Sequence, residues 1–130
     1  MSPRQYKPDL SVRYSPRVPR RLRTAVNAIC KKCDMPEADV LRYSFEAAVL
    51  TAPPRLKRST ISSAGPLDAM ITLRTSRKIQ RLVEQLWLNH PNTLKADLLR
   101  ALFDSMILIA QTRGMAYVMK LREDAISATA

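Results

Sequence analysis

The chain opens on alternation and then changes to a helical period. In residues 10–15 (LSVRYS), Leu10, Val12 and Tyr14 fall on one side and Ser11, Arg13 and Ser15 on the other. That period of two marks a half-buried strand, which Pro16 is expected to stop. Proline suits the start of a helix, so Pro16 and Pro19 lead into one. There Leu22, Ala25, Val26 and Ile29 recur at helical spacing, with Arg20, Arg21, Arg23 and Asn27 on the other faces. Lys31 and Lys32 fall in the last turn, where cations complement the helix dipole. Asp34, Pro36 and Glu37 then read as the capped start of a second helix. It carries Val40, Leu41, Ser44, Phe45, Ala48 and Val49 on one side and ends before Pro53-Pro54.

The same order then recurs. Residues 51–69 are rich in Pro and Ser/Thr and read as a linker. MITLR (70–74) alternates, with Ile71 and Leu73 inward and Thr72 and Arg74 outward. Ser76 is placed to cap a helix bearing Ile79, Leu82, Val83, Leu86 and Trp87, and NHPNT (89–93) breaks it. Asn92 or Thr93 caps the next helix, which runs from Leu94 to about Thr112. Gly114 interrupts, and residues 113–130 hold a short C-terminal helix. The second helices are visibly related. EADVLRYSFEAAVL (37–50) and KADLLRALFDSMIL (95–108) are identical at six of fourteen positions. The strands and first helices align less cleanly, at offsets of 59 to 61 against 58 for the second helices.

One strand has no ladder partner and two helices bury little, so a single unit is not self-sufficient. Two units are: their strands pair antiparallel and four helices pack beneath. The expected fold is mainly α with one short two-stranded antiparallel ribbon. It forms one compact domain with units at 10–50 and 70–112 and a basic arm at 1–9.

Charge adds a partner to this picture. The chain of 130 residues has a formal net charge of +11, and residues 1–33 hold nine Lys/Arg against one acid. Such an excess at one end is the footprint of a polyanion. No apolar run approaches a bilayer span and no apolar core follows the N-terminal cations, so a cytoplasmic protein away from membranes is expected. Cys30 and Cys33 form a C-x-x-C outside any thioredoxin-like βαβ context, and His90 is the lone histidine. Ordinary thiols or an incidental disulfide are expected there, with no metal and no cofactor. No catalytic constellation stands out, so an enzyme is not expected.

The order of strand, helix, capped helix, given twice, resembles the ribbon-helix-helix family in a single-chain, tandem form. The resemblance implies an intramolecular pseudo-dimer, monomeric in solution, whose ribbon enters the major groove of double-stranded DNA. Base readout would fall to Ser11, Arg13, Ser15, Thr72 and Arg74, with the two arginines suited to guanine. Phosphate would be held by Arg4, Lys7, Arg17, Arg20, Arg77 and Lys78 around the ribbon, and by Asn92, Thr93 and Lys95 at a helix start. Because the two strands differ, the readout should be asymmetric. Arg42 and Arg100 share a turn with Asp39 and Asp97 and are expected to be structural, as Phe45, Phe103 and Trp87 are expected to be core. Within the tandem group, the basic arm, the length and the element order most resemble those of a plasmid accessory protein, and the resemblance implies its role. Such a protein assists T-DNA processing and conjugation-like transfer beside a relaxase or other DNA-processing proteins. The rival readings are a repressor of the same fold and an antitoxin whose segment 111–130 masks a toxin. A basic RNA-binding protein is the weaker third, since no paired strand aromatics are present.

Overall fold

The computed structural model of the chain describes residues 10–51 and 66–129. The element order is β1 (Val12–Tyr14), β2 (Arg17–Val18), α1 (Arg20–Cys33), α2 (Glu37–Leu50), β3 (Ala69–Met70), β4 (Leu73–Thr75), α3 (Arg77–Leu88), α4 (Lys95–Arg113) and α5 (Met115–Thr129). The protein is mainly helical with a small antiparallel sheet, as the alternating and helical stretches predict. The arm at 1–9 and most of the expected linker lie outside the described residues.

The strand segments form one ribbon. β1 pairs with β4 through Val12–Thr75, Arg13–Arg74 and Tyr14–Leu73, and β2 pairs with β3 through Arg17–Met70 and Val18–Ala69. Both pairings share one register. Between them the Ile71 N–H donates to the Pro16 carbonyl at 3.3 Å, and Ser15 and Thr72 share a hydroxyl hydrogen bond at 3.1 Å. Pro16 therefore does not end the strand, contrary to the sequence expectation. It removes one donor from the ladder and leaves its carbonyl in use. Ala69, placed in the linker by composition, belongs to the ribbon.

The first helices of the two halves start 57 residues apart, at Arg20 and Arg77. A shift of 57 residues carries Ser15 onto Thr72, the residue that it faces. The same shift carries Leu22 and Val26 onto Ile79 and Val83, all four buried. For the first helices the expected offsets of 59 to 61 are too long, since none of them carries both Leu22 and Val26 onto buried positions.

α2 and α4 form the centre. α2 is buried nearly all round from Ser44 to Val49, and α4 buries Leu98, Leu99, Leu102, Phe103, Met106 and Ile107. The rings of Phe45 and Phe103, matching positions of the repeat, lie 5.2 Å apart, and Tyr14 from the ribbon reaches Phe45 at 5.5 Å. α1 and α3 flank this centre through one apolar stripe each, as their spacing predicts. α5 packs along α2 and α4, burying Met115 and Val118. Gly114, at φ 91°, lets the chain turn from α4 into α5.

Helix starts differ from those expected. Asp34 sits at φ 50° and closes the C-terminus of α1, its N–H donating to the Cys30 carbonyl. It does not cap α2, whose first residue follows Pro36. Asn92 and Thr93 likewise do not cap α4, which starts after Leu94 with no side-chain cap. Ser76 does cap α3, accepting from the Ile79 N–H at 3.3 Å.

Candidate nucleic-acid interface

Alternation along the ribbon sorts its side chains onto two faces. Tyr14, Pro16, Val18, Ile71, Leu73 and Thr75 point inward and are buried. Arg13, Ser15, Arg17, Met70, Thr72 and Arg74 point outward and are exposed. The outer face is thus three cross-strand pairs: Arg13 with Arg74, Ser15 with Thr72, and Arg17 with Met70. The central hydroxyl pair fixes its own geometry. None of the three arginine side chains has an acidic partner among the described residues. Like charges directly opposite each other weaken a ribbon, so this face is not arranged for stability.

The inner face anchors the ribbon to the helices. Thr75 donates its hydroxyl to Glu46 at 2.6 Å, and the second oxygen of that carboxylate accepts from Arg122 of α5 at 2.7 Å. Glu46 is 4 % exposed, so this carboxylate ties ribbon, α2 and α5 together inside the protein. Arg100 of α4 pairs with Asp97 and donates to the Arg17 carbonyl at 3.1 Å. That is the structural role expected for it. Arg42 makes no ion pair with Asp39. Its guanidinium instead lies 4.7 Å from the Tyr43 ring centre. The Tyr14 hydroxyl is buried with no hydrogen-bond partner among the described residues. Burial, with a smaller contribution from the charge of Glu84, pushes its pKa up to about 12.

Of the residues expected to read bases, Arg13, Ser15, Thr72 and Arg74 come together on the outer face. Ser11 is exposed just ahead of the first strand and outside the pairing. Arg17, expected among the flanking phosphate contacts, stands on the outer face itself. Met70 was missed as a member of that face. Its outward place follows from the alternation of residues 70–74, and its partner Arg17 follows once pairing is known to run past Pro16.

The phosphate set divides. Arg77 and Lys78 open α3, exposed and without acidic partners among the described residues. Arg20 is ion-paired to Asp68 at 3.4 Å, and the same carboxylate accepts the Arg20 backbone N–H. Lys95 is held by Glu84, its ammonium 5.5 Å from the Trp87 ring centre, so it is occupied within the fold. Trp87 is correspondingly not core. It is 37 % exposed, and its indole N–H donates to the Thr93 carbonyl at 2.7 Å. Asn92 is exposed and Thr93 half-buried in the turn before α4. Arg4 and Lys7 lie outside the described residues. The first turns of α2 and α4 have no side-chain cap but contain Glu37, Asp39 and Asp97.

Cys30 and Cys33 are free thiols at the end of α1. Burial, then the nearby Glu37 charge, raises the Cys30 pKa, the opposite of an activated thiolate. Among the described residues no three His, Cys, Asp or Glu side chains gather as a metal site, and no helix is long and apolar enough to cross a membrane.

No protein-family model, curated protein or solved structure matches the chain.

Proposed function

We propose that this chain is a double-stranded DNA-binding protein, a tandem ribbon-helix-helix pseudo-dimer that lays the outer face of its ribbon in the major groove. The observation that carries the reading is the cationic outer face, unpaired among the described residues. Arg13, Arg17 and Arg74 project from a ribbon whose other face is buried, with Ser15 and Thr72 between them. A major groove about 12 Å wide admits a two-stranded ribbon, and guanidinium and hydroxyl groups match the acceptors on base edges there. Arg77 and Lys78 add phosphate contacts at one end. The recurrence of strand and helices about Ser15 and Thr72 supports the pseudo-dimer reading.

The chain resembles the accessory protein encoded second in the virulence C operon of Ti-type plasmids. On that likeness we assign it a part in T-DNA processing and conjugation-like transfer, bound to DNA beside a relaxase. The antitoxin reading is disfavoured because α5 spends Met115 and Val118 on its own core.

Fluorescence anisotropy with a labelled DNA duplex and a double-stranded RNA of matched sequence tests the groove reading. The major groove of RNA is too deep and narrow for a ribbon. Tighter binding to DNA at moderate salt is expected; equal binding to both would contradict readout in the major groove.

A further inference from the structure

The outer face is not the same at its two ends. The shift that carries Ser15 onto Thr72 carries Arg17 onto Arg74, both arginine, but carries Arg13 onto Met70. One end of the ribbon therefore presents two arginines side by side, and the other presents Arg17 beside a methionine.

Met70 has no evident role in the core. It is 54 % exposed on a face otherwise made of arginines and hydroxyls, while its inward neighbour Ile71 is 1 % exposed. Its backbone is nevertheless held in place, because the Met70 carbonyl accepts from Arg23 of α1 at 2.8 Å. A fixed backbone carrying a flexible thioether can deliver an apolar tip to a surface of variable shape. In the major groove the one apolar group displayed by a standard base is the C5-methyl of thymine.

We infer that the ribbon reads a polar rather than a palindromic site, with Met70 contacting a thymine methyl at one end and the Arg13–Arg74 pair contacting guanine at the other. This rests on the duplex-reading function proposed above. It adds a specificity residue, and it gives the bound protein a direction along the DNA. A transfer accessory protein that must present its neighbours on one side of a site gains from such a direction.

The test uses the full chain to select duplexes from a random-sequence library, followed by binding measurements on the winning duplex. In that duplex each thymine is replaced in turn by deoxyuridine, which removes the methyl group and nothing else. Met70→Ala and Arg13→Ala are compared with wild type, and circular dichroism checks that both variants are folded. The expected result is a non-palindromic winner in which one deoxyuridine weakens wild-type binding about fourfold, the worth of one buried methyl group. That loss should vanish in Met70→Ala, and the guanine preference at the opposite end should relax in Arg13→Ala. A palindromic winner, or one in which no deoxyuridine effect depends on Met70, would overturn this inference and leave duplex binding intact. Failure to enrich any duplex, together with no binding at low salt, would overturn the duplex reading and this inference with it.

Discussion

Arg13 and Arg74 stand directly opposite each other on the exposed face of the ribbon, with no carboxylate paired to either among the described residues. Facing like charges cost a sheet up to about 1 kcal/mol relative to a neutral pair. Arg13→Thr places a good strand former there and removes the repulsion. It should raise the urea midpoint slightly, worth about 0.5 kcal/mol, while weakening DNA binding. A stability loss alongside the binding loss would mean that Arg13 supports the fold.

Asp68 performs two tasks that a substitution can separate. Its carboxylate accepts the backbone N–H of Arg20 at the start of α1 and pairs with the Arg20 guanidinium. Asn keeps the accepting oxygen and drops the charge. Asp68→Asn should leave thermal stability within about 0.5 kcal/mol, and it should tighten duplex binding several-fold at low salt by freeing Arg20. Isothermal titration at two salt concentrations reads both the affinity and its salt dependence.

Much of this arrangement is legible in the residues themselves. The inward set Tyr14, Ile71 and Leu73 and the outward set Arg13, Ser15, Thr72 and Arg74 follow from alternation alone. Phe45 and Phe103 declare themselves core by recurring within the repeated helix. The misreadings have physical causes. Pro16 looks like a stop because it lacks an N–H, yet a hydrogen-bonded antiparallel pair exchanges two bonds, and the Pro16 carbonyl still accepts one of them. Met70 falls outward by the same alternation, and Arg17 joins it across the ribbon only if pairing continues past that proline. Asp34 resembles a helix cap, but an aspartate also tolerates the left-handed conformation that closes the preceding helix. Lys95 looks free because its partner Glu84 lies on another helix, and only the tertiary fold brings them together.

Tyr14 gives a dependence on pH. Its folded pKa of about 12 lies above the ordinary value of 10.0, so the unfolded chain ionises first as pH rises. The stability tied to the neutral phenol is complete below pH 10 and is lost as pH rises through 12. At pH 12 the loss amounts to about 2 kcal/mol. Tyr14→Phe should match or exceed wild type at neutral pH, because it deletes a buried hydroxyl with no partner among the described residues. The variant's advantage should grow between pH 10 and 12. Urea melts at a series of pH values decide it, and parallel curves would mean that the phenol ionises equally in both states.

Glu46 holds the ribbon to α5 through Thr75 and Arg122. Glu46→Ala leaves the hydroxyl of Thr75 and the guanidinium of Arg122 without their shared acceptor and should cost about 3 kcal/mol. Glu46→Gln keeps an oxygen for Thr75 and should cost about half as much. Hydrogen exchange should show Glu46→Ala loosening both α5 and the β4 end of the ribbon; a loss confined to α5 would show that the ribbon is anchored by its apolar face alone.

The central claim is that the ribbon's outer face binds duplex DNA, and the most direct measurement is affinity across a salt series for wild type and Arg13→Ala/Arg74→Ala. Each phosphate neutralised contributes about 0.9 to the slope of log affinity against log salt, so a steep slope is expected for the wild type. The double variant should remain folded and bind non-specific DNA at low salt through its other cations. It should lose the preference for a selected sequence by at least tenfold, since a good bidentate pair is worth about 1–3 kcal/mol. Undiminished preference in the double variant, or no binding by the wild type at low salt, would contradict the account.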